Sequence, residues 1–253
     1  RRSSDLHSYF YKPSNSIPLN LWGNALDLPI GPAAGPHTQL AQNIIVSYLC
    51  GGRFIELKTV QKEDKISVDK PCIFAIDEGY NVEWSTELSI KEALEEYIKA
   101  YLFILVLKEI FNLKSKNSDK LSNVFNNDGF IFAMSVGYSL DGITSPKVDN
   151  FIEEMSGKND TVKKLAEDLI LILESENGKK FKARINAEYP LERLKNIAKN
   201  STKISPIITL STMHGTKPEE IDKIVQYLLI EKNINTFLKV NPTLLGYQRV
   251  KSI

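Results

Sequence analysis

Residues 28–61 read LPIGPAAGPHTQLAQNIIVSYLCGGRFIELKTVQ, and the fold is decided in this stretch. A short apolar run at 28–34 gives way to a turn rich in Gly and Pro. A helical stretch follows at about 38–49, stops at Gly51 and Gly52, and is succeeded by a second apolar run at 54–57. Two runs of strand length separated by one helix predict a βαβ unit and therefore parallel strands. Thr38 is placed as the N-cap of that helix, ahead of an apolar face of Leu40, Ile44 and Tyr48.

The same alternation continues outward along the chain. Further strands are predicted at 130–136, 207–210 and 236–240, and helices at about 90–111, 148–155, 161–174, 190–200 and 217–231. The last helix has Pro218 in its first turn, with Glu219 and Glu220 placed to favour the positive end of the helix dipole. Residues 61–89 form a long polar excursion. The stretch 113–128 reads as an exposed polar loop inside a single domain spanning 1–253. Five strands are predicted where a closed parallel barrel has eight. The alternation alone gives α/β with parallel strands; together with the resemblance set out below, the expected fold class is an incomplete (β/α) barrel of the TIM type with two edge strands and an uncovered apolar inner face.

Composition narrows the function classes. Lys and Arg total 32 against 31 Asp and Glu, so the net charge of +1 provides no field for nucleic acid or an anionic membrane. The longest apolar run, 101–107, is far short of the roughly 20 residues that span a bilayer, and a cytoplasmic location is expected. Cys50 and Cys72 are too few for an iron–sulfur cluster or a structural zinc site, and no ligand spacing joins His7, His37 and His214, so no metal is expected.

Ligands of parallel α/β folds bind at the carboxyl ends of the strands. After the first run, residues 31–38 (GPAAGPHT) bring backbone close to a flat ligand, or simply make a tight turn. Lys58 and Thr59 end the second run, and Lys239, Asn241 and Pro242 end the fifth. Buried ammonium groups need partners, so these lysines either converge on a negatively charged ligand, pair with carboxylates such as Glu56 and Glu78, or are solvated loop lysines. Ser211, Thr212 and His214 follow the fourth run, where His214 is either an acid–base group or a histidine bonded within its turn. Residues 77–87 (DEGYNVEWSTE) read either as a lid or docking surface or as an ordered structural loop.

Taken together, residues 35–43, 51–61, 78–87, 134–138, 210–215 and 235–246 resemble, in order, the N-terminal region of the YgfK-type oxidoreductase subunits, a family that carries a selenate reductase label in its name. That region is similar in turn to the flavin barrels of dihydroorotate and dihydropyrimidine dehydrogenases. The resemblance implies an FMN site with Ala33, Ala34 and Gly35 beside the isoalloxazine, Lys58 and Thr59 at the second strand end, and Lys239 near the pyrimidine edge. It also implies iron–sulfur clusters and FAD elsewhere in the full-length family, an electron-transfer role, and other domains or subunits of a redox complex as partners. Thr216 stands where the family pattern has Cys, and a hydroxyl is a poor acid or base near neutral pH. The glycine-rich phosphate loops after strands seven and eight of the related barrels have no counterpart here. The rival expectation is a flavin-free barrel that serves as a structural or docking module for a redox partner.

Overall fold

The computed structural model describes residues 8–13, 18–63, 88–113, 126–137, 139–158, 160–211, 216–239 and 246–252. Its first element is a hairpin that the sequence reading did not place, β1 (Leu19–Leu21) antiparallel to β2 (Asn24–Leu26). The turn is Trp22-Gly23, both with positive φ (49° and 78°), the backbone that a two-residue hairpin turn requires. Helix α1 (Ala41–Leu49) and strand β3 (Phe54–Glu56) follow, then α2 (Ile90–Ile110), β4 (Asn126–Gly129) and β5 (Ile131–Val136). Next come α3 (Leu140–Ile143), α4 (Pro146–Ser156), α5 (Asp160–Glu174), α6 (Glu176–Ile185) and α7 (Leu191–Lys199). The chain then runs through β6 (Ile207–Ser211), α8 (Pro218–Gln226), β7 (Asn235–Lys239) and α9 (Tyr247–Lys251).

Strands β3, β5, β6 and β7 form one parallel sheet in that order. The predicted first strand is present as an extended segment rather than a regular one. The Ile30 carbonyl accepts from the amides of Arg53 and Phe54 (2.8 and 3.2 Å), and the Pro32 carbonyl accepts from Glu56 (3.1 Å). The segment therefore runs parallel to β3 on its free side, and Pro29 and Pro32 have no amide to return. Gly31 lets the two backbones meet, because a Cβ there would sit 1.7 Å from the Phe54 carbonyl oxygen.

Alternate residues of the sheet face two different cores. Ile55, Leu57, Phe132, Met134, Val136, Ile208 and Leu210 pack outward against the helices in the main core. Phe54, Ile131, Ala133 and Ile207 face inward and pack on Leu21 and Leu26 of the hairpin, which covers the base of the inner face. That cover corrects the expectation of a wholly uncovered inner face. At β7 the apolar surface does remain open, with Phe237 38% and Leu238 39% exposed.

Three other expectations are corrected. Thr38 does not cap α1: it closes a 3-10 turn over Pro36–Thr38, bonding Gly35 through both its amide and its hydroxyl, and the Ala41 amide at the helix start is met by Glu96 of α2 (2.8 Å). The ends of the supposed exposed loop are buried, Leu113 in the core and Asp128 at 0% exposure, while 114–125 lie outside the described residues. Helix 217–231 is an α-helix only as far as Gln226 and ends in a π turn, Tyr227–Glu231.

At the amino ends of the strands lies a buried charged layer. Arg53 is fully buried, stacked over Tyr48 and Tyr11 (4.0 and 4.9 Å to the ring centres), and its Nη1 donates to the Tyr48 carbonyl at 2.6 Å. Its Nε lies 3.9 Å from Asp27. Beside it, Asp128 accepts from the Tyr101 hydroxyl (2.8 Å) and pairs with Arg193 (2.5 Å) and Lys108 (3.9 Å). In parallel barrels the amino-terminal end of the strands serves stability, and catalytic residues sit at the carboxyl end.

Candidate functional site

Past Glu56 the chain leaves regular strand geometry but stays beside β5. Leu57 donates to the Ala133 carbonyl (2.9 Å), Val60 to Ser135 (3.0 Å) and Gly137 to Val60 (3.1 Å). This carries Lys58 and Thr59 to the carboxyl rim of the sheet. Lys58 is buried, its amide donating to the Thr38 carbonyl (3.3 Å) and its carbonyl accepting from the Tyr97 hydroxyl (2.8 Å). Thr59 is buried as well, with its hydroxyl 2.8 Å from that of Ser135. Lys239, the last residue of β7, is half-exposed and reaches Glu56 with its ammonium 2.9 Å from the carboxylate.

Glu56 is the centre of this rim. One oxygen meets Lys239, the other accepts from the Ala34 amide (2.9 Å), and the Thr209 hydroxyl of β6 also bonds it. Burial pushes its carboxyl pKa up, but the bonds from Lys239, Thr209 and Ala34 outweigh burial and hold it below the usual carboxylate range. A single carboxylate therefore fastens the turn after the first strand to β3, β6 and β7. Sequence reading named Glu56 only as a possible counter-charge, because its three partners are 22 to 183 residues away along the chain.

Other predicted residues fall into place less uniformly. Ala33 is exposed, Ala34 half-buried and Gly35 buried. Two amides of this turn are committed within the protein: Ala34 donates to Glu56 and Gly35 to the Thr38 hydroxyl (3.2 Å). A Cβ at Gly35 would lie 2.6 Å from the exposed His37 ring, so a larger residue there would displace that side chain. Thr216 is half-buried just ahead of α8. His214 and Asn241 lie outside the described residues, as do residues 77–87. Among the described residues no group of His, Cys, Asp and Glu is arranged to hold a metal. None of the described helices is long and apolar enough to cross a membrane.

A parallel sheet with helices packed on its outer face and polar side chains gathered at its carboxyl rim is an arrangement of the parallel α/β class to which (β/α) barrels belong. Within that class, the chain belongs to the family described as the N-terminal TIM-barrel domain of oxidoreductase YgfK, whose sequence model matches residues 5–253. It is 44% identical over 247 residues to the Escherichia coli K12 protein named "Putative oxidoreductase YgfK", covering 96% of this chain and 23% of that protein. The protein of the same name from Escherichia coli O157:H7 gives the same figures. The chain thus spans about a quarter of the length of the curated relatives it matches. No solved structure matches it.

Proposed function

We propose that this domain is the flavin barrel of an electron-transfer oxidoreductase and holds the ring end of FMN at the rim built by Lys58, Thr59, Glu56 and Lys239. The observation that carries the reading is the Glu56–Lys239 pair, an ammonium held by a buried carboxylate at the mouth of a parallel sheet. The fit to an isoalloxazine edge is chemical: bound flavin supplies electron-pair transfer, and a cation near its pyrimidine edge favours the reduced, anionic ring. Lys239 provides that cation, and Glu56 orients it. Exposed Ala33 supplies small-residue backbone against which a flat ring can lie. The Ala34 and Gly35 amides are committed within the protein and position their turn. Asn241 and His214 follow β7 and β6 in sequence and lie outside the described residues. Selenate as substrate has no support beyond the family's name.

A second reading, a flavin-free docking module, is favoured by one observation. Glu56 already neutralises Lys239 and occupies the Ala34 amide, so the rim is satisfied without a ligand. Lys239→Ala in the full-length protein separates the two. If FMN sits here, the variant holds it more weakly and at a lower reduction potential while its thermal midpoint barely moves. A variant that keeps the flavin and its potential but loses stability makes the lysine structural and favours the docking module.

A further inference from the structure

Helix α6 is fixed in place yet buries none of its own residues. Its N-cap Ser175 accepts from the Gly178 amide (3.1 Å), and its C-cap Asn186 takes the left-handed conformation. Gly178 lies so close to the end of α5 that a Cβ would sit 2.3 Å from the Leu173 carbonyl oxygen, and its own carbonyl accepts from the Tyr189 hydroxyl (2.9 Å). Short helices draw most of their stability from packing an apolar face. Here that face is bare: Phe181 is 50% exposed, and Leu171 and Ile172, in the last turn of α5, are 69% and 62% exposed.

The same helix carries Lys179, Lys180, Lys182 and Arg184 against one acidic residue, Glu176. Lys180 pairs with Glu176 and Lys182 with Glu188, whereas Lys179 and Arg184 form no ion pair among the described residues. Apolar side chains ringed by cations mark an interaction surface. Two uncommitted cations are too few to hold an anionic bilayer at about 1 kcal/mol each. A protein face is the better complement. The relatives carry more than three-quarters of their length outside this region, so a large body of polypeptide is available to supply it.

We propose that α6 and the end of α5 form a docking face for a protein segment with an apolar centre ringed by carboxylates, contributed by the polypeptide that the relatives carry beyond this domain. The surface lies on an insertion between β5 and β6 and is independent of the flavin reading.

Zero-length carbodiimide cross-linking of the full-length protein, read by mass spectrometry, tests this, because the reagent joins lysine only to a touching carboxylate. The expected product links Lys179 to an Asp or Glu outside residues 1–253 of the same polypeptide. Amides of α6 should also exchange about tenfold more slowly than in a Phe181→Asp/Arg184→Glu variant of the same full-length protein. If that variant fails to fold, Leu171→Ser/Ile172→Ser is read in the same way. Three results overturn the proposal: links confined to residues 1–253 with equal exchange in both proteins, links between isotopically distinct copies, or protection gained only on phosphatidylserine vesicles.

Discussion

Glu56 shows how much of the rim depends on one side chain. Removing its charge but keeping its shape, as in Glu56→Gln, releases Lys239 yet leaves an acceptor for the Ala34 amide. Glu56→Ala leaves the Ala34 amide without its partner as well, while the Thr209 hydroxyl keeps the Met134 carbonyl (3.4 Å). The Gln variant should lose about 1 kcal/mol and the Ala variant about 2–3 kcal/mol in urea unfolding. Equal, negligible losses would show that the carboxylate does not fasten the rim. At this scale the sequence was informative about residue type and poor about geometry. Lys58, Thr59 and Lys239 are recognisable because polar groups end apolar runs. That Lys239 meets Glu56, and that Arg53 is sealed between two tyrosines, depends on chain crossings that no local pattern encodes.

The elements were legible wherever their period was regular. Strands β3, β5, β6 and β7 fall within a residue or two of the predicted runs, and the first three set alternate apolar residues into the two cores. The hairpin β1–β2 was missed because three-residue strands carry too little alternation, and its turn places Trp at a position where Asn or Gly is usual. Helix α6 was missed for the opposite reason: it has no buried face to give a stripe. The first strand was found by its composition although its prolines leave only half a ladder. Gly31 is the point where that ladder is vulnerable. Gly31→Ala should force the segment from β3 and cost about 1–3 kcal/mol, the range for overpacking, with altered exchange at the Phe54 and Glu56 amides. A variant as stable as the parent would show that the two backbones are not in contact.

Across the whole molecule, polar chemistry is divided between two ends, a charged layer at the amino ends of the strands and the Glu56 rim at the carboxyl ends. The first end governs the pH dependence. Burial pushes the Asp27 carboxyl from its ordinary 3.8 up to about 6, with Lys108 and Arg53 only partly opposing it. The folded chain therefore holds that proton more tightly than the unfolded chain. Asp27 contributes most below pH 4, and its contribution falls as pH rises to about 6 and is level above. Relative to Asp27→Asn, which cannot titrate, the thermal midpoint of the parent should decline across that window; parallel curves would contradict the assignment. The parallel α/β class was legible in the sequence, because alternation of runs and helices reports it directly, whereas the barrel came from the family resemblance. The buried layer was not, since Asp128 sits at the end of a polar stretch that looks solvated. For the other end the central proposal is that the rim holds FMN. The most direct measurement is the flavin released from the purified full-length protein and from its Lys58→Ala/Lys239→Ala variant, typed and quantified against protein. The account predicts equimolar FMN in the parent and a marked loss in the variant; FMN absent from the parent, or retained in full by the variant, would contradict it.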